Sequence, residues 1–125
     1  RDLGTTWQQH PTSERALIEP NACMASLIDV DREANVEYGG QLLFSNPDSR
    51  TKRQRMTIKS SPNRGIDWPI EQQLLLDEGA SSGYSCMSMI DAQTVGILYE
   101  GSQSQLTFQR IALADIVKGL RPSEQ

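Results

Sequence analysis

The sequence predicts an all-β chain built from propeller blades, and three observations carry that prediction. Short runs of alternating or β-branched residues recur along it, punctuated by Gly, Pro, Asn and Ser. Almost no stretch shows a helical period. A tight-turn pattern appears twice, as Asp2-Leu3-Gly4-Thr5-Thr6-Trp7 and as Ser61-Pro62-Asn63-Arg64-Gly65-Ile66-Asp67-Trp68, about 61 residues apart. In each copy an Asx side chain closes a hydrogen-bonded turn, a Gly two residues on accepts positive φ, and a Trp folds back over the turn. An internal repeat of such turns between strands is the signature of blades.

The elements follow in order. Cys23 to Val30 and Gln41 to Ser45 read as strands, joined by the polar stretch Asp31 to Gly40. Asn46 to Lys52 reads as irregular, with Pro47 as the breaker. Met56 to Ser60 leads into the second turn copy and Glu71 to Leu76 leaves it. A Gly/Ser loop, Gly79 to Gly83, precedes the most regular part of the chain, GYSCMSMIDAQTVGILYE. There Tyr84 to Ile90 forms one strand, Asp91-Ala92-Gln93 the turn, and Thr94 to Tyr99 the return strand. Antiparallel pairing then brings Tyr84 and Glu100 to the same end of the hairpin. Gln105 to Ala112 is the last strand, and Leu113 to Lys118 has room for one or two helical turns. No low-complexity linker divides the chain, so residues 1–125 are expected to form one unit without an internal boundary.

Composition excludes several classes of function. The chain has 125 residues, 37% hydrophobic and 22% charged, with a net charge of −4, which disfavours nucleic acid as a partner. Its apolar runs, such as Val95 to Tyr99, are too short for a membrane span. The first residue is an Arg with no leader before it, so the N-terminus says nothing about export. Cys23 and Cys86 are expected to be buried free thiols, with a disulfide between them the alternative, and the single His10 lacks Cys or His partners for a metal. Met24, Met87 and Met89 are assigned to the core, as are Trp7 and Trp68, although either Trp ring could stack on a sugar.

Three residues stand out as candidate chemistry. Arg53 precedes the MTIKSS strand within a basic run that includes Arg50, Lys52 and Arg55. Read from composition alone, that run is foremost a solvated basic turn. Tyr84 opens the hairpin and Glu100 closes it. An arginine fork holds a carboxylate with two parallel charge-assisted hydrogen bonds. A neutral phenol can approach a carbon bearing a carboxylate without the repulsion that a second anion would meet, but its reference pKa near 10 calls for a base beside it.

Taken together, the turn repeats and the segments NACMASLI, QLLFSNP, RMTIKSS, LLLDEG, GYSCMSMID, TVGILYEGS and LTFQRIAL resemble the C-terminal part of bacterial exo-α-sialidases (neuraminidases). In that family the turns are called Asp-box or BNR repeats. The resemblance implies a six-bladed β-propeller, of which this chain would supply about the last two blades. It implies a retaining sialidase without metal or organic cofactor, acting on sialylated glycans. Arg53 would match an arginine on the substrate carboxylate, with Arg55 the weaker candidate. Tyr84 would match the nucleophile and Glu100 a glutamate that orients an arginine. The family's other two arginines, its aspartate acid/base and the tyrosine's glutamate partner fall upstream of residue 1, so the isolated chain is expected to be inactive. It is also expected to dock to the upstream part of the propeller or to self-associate, and secretion or a periplasmic location follows from the resemblance. The competing expectation is a non-catalytic Asp-box propeller module that binds glycan or protein.

Overall fold

The computed structural model describes residues 2–118. Residue 1 and residues 119–125, the two ends of the unit expected over 1–125, lie outside the described residues. The element order is β1 (Ser26–Asp29), β2 (Leu42–Pro47), β3 (Gln54–Ser61), β4 (Gln73–Ala80), β5 (Ser85–Asp91), β6 (Thr94–Glu100), β7 (Leu106–Ala112) and α1 (Leu113–Val117). They form two antiparallel meanders, β1-β2-β3-β4 and β5-β6-β7, with every strand beside its sequence neighbour within each sheet. This is the all-β architecture the punctuation predicted. It is a propeller-type fragment, two blades side by side with β5 lying against β1 and β2.

The core fills the space between the sheets. Leu43 and Ile58 from the first sheet and Val95 and Ile97 from the second are fully buried, together with Leu113 and Ile116 of α1. Five residues are too few for a helix to hold itself. The helix forms because Leu113 and Ile116 share one face, which packs beside β3, β4 and β7, and because Leu113 N–H donates to Gln93 O at 2.8 Å.

Several boundaries differ from expectation. Only Ser26–Asp29 of the Cys23–Val30 run becomes strand, and Met24 is exposed, not core. Pro47 ends β2 instead of opening an irregular segment. It pairs with Met56, beyond the reach of the short β1, so its missing N–H costs the ladder nothing. The strand β4 runs on to Ala80, into the expected Gly/Ser loop.

Both turn motifs adopt the same backbone. Leu3 and Gly4 have φ of 54° and 85°, and Arg64 and Gly65 have 62° and 88°. Each Trp ring lies over its Gly. In the first turn the Asp2 carboxylate accepts from Gly4 N–H (3.2 Å) and Thr6 N–H (2.9 Å). Asn63 has one acceptor oxygen where Asp has two. It takes Asp67 N–H (2.8 Å), and Ser61 Oγ accepts Gly65 N–H (2.8 Å) in its place. The opening Ser therefore supplies what the Asn lacks. Trp68 is buried against Phe44, edge to face at 6.0 Å. Trp7, expected in the core, is 87% exposed, because nothing among the described residues packs on that turn.

Polar side chains fix the long connections. Lys59, buried in mid-strand, reaches Asp48 (2.7 Å) and Ala16 O (2.5 Å), while Asn46 Nδ2 donates to Ile18 O (2.8 Å). These bonds carry the segment before β1 across β2 and β3 to Ala22. The 30–41 loop is held by Asn35, 2% exposed, whose amide nitrogen donates to Ala92 O and whose oxygen accepts Tyr38 N–H at 2.7 Å. Replacing Asn35 by Ala leaves the buried Tyr38 N–H without a partner and the Ala92 carbonyl without this one. The expected loss is roughly 1–3 kcal/mol, read as a lower denaturation midpoint of the full protein. A midpoint unchanged within error would remove Asn35 from this role.

Candidate functional site

Four connections meet at one end of the two sheets: residues 21–25 before β1, 48–53 between β2 and β3, 81–84 between β4 and β5, and 101–105 between β6 and β7. The turn centred on Asn63 lies at the opposite end, between β3 and β4. Tyr84, Arg53 and Glu100 are all on the first rim.

The register at the start of β3 separates the two candidate arginines. Pairing with β4 shifts between Gln54 and Met56, and Arg55 sits in that bulge with φ of 60°. Arg55 points to Glu78, with Nη1 3.5 Å from the carboxylate. Arg53 turns inward over the site. Its Nη1 donates to Ser82 O and its Nη2 to Ala22 O, both at 2.8 Å, and its Cζ lies 5.5 Å from the centroid of the Tyr84 ring. Among the described residues no carboxylate forms an ion pair with Arg53. Two neutral carbonyls therefore fix the guanidinium and leave its charge uncancelled, with three of its five N–H donors free for an anion.

Tyr84 is held by its main chain. Its N–H donates to Glu100 Oε2 at 2.9 Å, and its carbonyl accepts Glu100 N–H at 3.1 Å, so the hairpin ends lock together. Tyr84 as a whole is left 40% exposed. Among the described residues no arginine pairs with Glu100, and its observed partner is Tyr84. Beside Glu100 a cleft of about 300 Å³ opens between Ser81, Ser82, Gly101, Ser104 and Gln105.

Both cysteines are free thiols, but they are not both buried. In β5 the alternation places Met87 inward and Cys86 outward, so Cys86 is exposed. Cys23 is half-buried beneath the rim, and its Sγ–H donates to Gly83 O at 3.0 Å. Burial pushes its thiol above the ordinary range, partly offset by the nearby Arg53 charge.

Sequence reasoning passed over Asp77. It accepts Gly79 N–H (2.9 Å) and Ser102 N–H (2.8 Å), clamping the loop that follows Glu100 onto β4. The spacing Asp-Glu-Gly at 77–79 is an Asx-turn signal, but the Ser102 contact is non-local and leaves no trace in the sequence. Asp91, read as a hairpin turn residue, is one: Gln93 N–H donates to its carboxylate at 2.9 Å.

Two adjacent antiparallel sheets thus carry Arg53, Tyr84 and Glu100 on one rim. The chain's similarity is to the C-terminal part of a sialidase. It is 52% identical over 118 residues to a sialidase of Bacteroides fragilis, covering 94% of this chain and 22% of that protein. A sialidase of Micromonospora viridifaciens is 34% identical over 91 residues, 71% of this chain and 13% of that protein. The solved structure of Hadza microbial sialidase Hz136 superposes with a TM-score of 0.83 at 55% identity, covering 94% of this chain and 22% of that one. The chain thus spans less than a quarter of the length of these relatives. No family model matches it. No helix among the described residues is long and apolar enough to cross a membrane.

The Asp77 clamp gives a pH prediction. Its hydrogen bonds, that from Ser102 N–H foremost, hold the folded carboxyl below the ordinary 3.8. Its contribution to stability is therefore present above about pH 3.8 and lost as pH falls through the lowered folded value. In the full protein Asp77→Asn should lower the thermal midpoint at neutral pH, with the gap to wild type closing on acidification. A gap that stays constant with pH would exclude the clamp as its source.

Proposed function

We propose that this chain supplies about the last two blades of a six-bladed propeller in a retaining exo-α-sialidase, with Tyr84 as nucleophile, Arg53 on the substrate carboxylate and Glu100 as a positioning carboxylate. The observation that carries this reading is the guanidinium of Arg53. It is anchored by carbonyls, stacked on the Tyr84 ring and free of any carboxylate among the described residues. A fixed, uncancelled cation beside an accessible phenol suits a sugar that bears a carboxylate on its anomeric carbon.

In the proposed reaction the carboxylate takes the free N–H groups of Arg53, which sets the anomeric carbon against Tyr84. The phenol loses its proton to a base as its oxygen bonds to that carbon. The glycosidic bond breaks, and an acid protonates the departing oxygen. Water then releases the sugar from the tyrosyl intermediate with retention. The base, the acid and two further arginines come from the rest of the protein, so the isolated chain is inactive. Glu100 holds the Tyr84 main chain, and in the complete ring its free carboxylate oxygen orients an arginine. Acting on sialylated glycoconjugates outside the cell, the protein is secreted or periplasmic.

The decisive experiment is Tyr84→Phe in the full protein, assayed with a fluorogenic sialoside. Turnover should fall by at least about 10³-fold, with the thermal midpoint little changed. Normal turnover in the variant would reject the nucleophile assignment. A wild-type protein with no turnover at all would favour a non-catalytic Asp-box module.

A second expectation concerns association. The outer face of β5-β6-β7 carries the cross-strand row Cys86–Leu98–Phe108, with Leu98 45% and Phe108 60% exposed, and among the described residues β4 and β7 each leave an edge unpaired. Native mass spectrometry of the 125-residue chain should show it bound to upstream propeller segments when these are present, and self-associated when they are not. A lone monomer under both conditions would contradict this.

A further inference from the structure

We infer that Cys23 is a positioning residue for Tyr84, acting through the Gly83 carbonyl; this rests on the sialidase reading above. The observation is the density of anchors on three consecutive residues. Arg53 holds Ser82 O, the Cys23 thiol holds Gly83 O, and Glu100 holds both N–H and C=O of Tyr84. The main chain of this short strap is thus fixed at each residue, while the side chains of Ser82 and Tyr84 stay exposed.

The slot around Gly83 is built to one fit. Gly83 has φ of +88°, a region open to Gly and strained for other residues. A Cβ added there would lie 2.9 Å from Cys23 Sγ, 3.0 Å from Pro47 Cγ and 3.2 Å from Arg53 Cβ. The strap is therefore pressed against Cys23 on one side and the stem of Arg53 on the other. The thiol is a protonated donor in this half-buried setting and bonds the Gly83 carbonyl directly. Gly83 C=O and Tyr84 N–H belong to one planar peptide, which the thiol holds at the oxygen and Glu100 at the nitrogen. Removing the thiol leaves that plane held from one side only, so the approach of the phenol is less tightly fixed while Arg53 keeps its charge.

The consequence is a split in kinetics. Cys23→Ala in the full protein should lower kcat about fivefold to tenfold, the worth of one modest hydrogen bond expressed in the transition state. KM should stay within about twofold, because carboxylate binding remains with Arg53. Cys23→Ser, which keeps a donor, should recover most of kcat, and Cys23→Val, which fills the slot without a donor, should behave like Ala.

Three results would overturn the inference. They are unchanged kcat in both Ala and Val variants, Ser as impaired as Ala, or failure of both Ala and Val to fold, which would make Cys23 a support of the fold and not of Tyr84. Tyr84→Phe run in parallel separates this from the underlying reading. An inactive Phe variant beside a fully active Ala variant rejects only the Cys23 role, whereas an active Phe variant rejects the nucleophile itself.

Discussion

The rim exists because the innermost strands of the two sheets come close enough to share hydroxyls. Ser45 and Ser85 are both buried, with their Oγ atoms 2.8 Å apart, and Ser85 also donates to Ser45 O. One pair of residues along, Ser26 Oγ accepts Met87 N–H at 2.9 Å. Small side chains allow the approach, and their hydroxyls satisfy one another and the backbone where water is excluded. Larger apolar residues at these positions would fill the same region but hold β5 away from β1 and β2. The seam runs from the interior directly to Gly83 and Tyr84. It thus decides that the β4–β5 strap lies over Cys23 and Pro47, within reach of an arginine that arrives from another strand.

A single bulge then decides which arginine that is. In a regular ladder, residues two apart share a face of the strand, so Arg53 and Arg55 would project together. The register shift at Gln54–Met56 and the positive φ of Arg55 break that equivalence. Arg55 turns out to the exposed Glu78, where a surface ion pair contributes little. Arg53 turns in to the strap. A local irregularity of the backbone, not the identity of either side chain, separates the arginine paired with Glu78 from the one held over the Tyr84 ring.

This explains what was legible in the sequence. The hairpin from Tyr84 to Glu100 was readable because its determinants are local: alternation, a turn triplet and antiparallel geometry. The paired turns were readable for the same reason, since Asx, Gly and Trp act within a few residues. The Arg53 and Arg55 ambiguity stood because a bulge has no residue signature when a non-Gly residue adopts the positive φ. Cys23, Asp77, Asn35 and the serine seam were missed because each acts through a partner on a different strand or loop. Burial was misread at Trp7, Met24 and Cys86, where apolar character was taken for core position. Alternation within β5 already pointed Cys86 away from the side that Met87 buries.

The manner in which Arg53 is held bears on chemistry more than its presence does. A carboxylate anchor would fix the guanidinium equally well, but it would cancel the charge that an anionic sugar needs. Carbonyls orient without cancelling, so the cation meets a ligand already in place and with its field intact. Glu100 completes this arrangement by spending one carboxylate oxygen on the Tyr84 N–H, with no ion pair to Arg53. The chain carries a net charge of −4, yet at this rim Glu100 is turned to the backbone and Arg53 is held by carbonyls. Neutral anchors for the cation and a main-chain partner for the anion keep two opposite charges on one rim without an ion pair between them. Under the proposed function, that separation lets the Tyr84 phenol meet a carboxylate-bearing sugar beside an uncancelled cation.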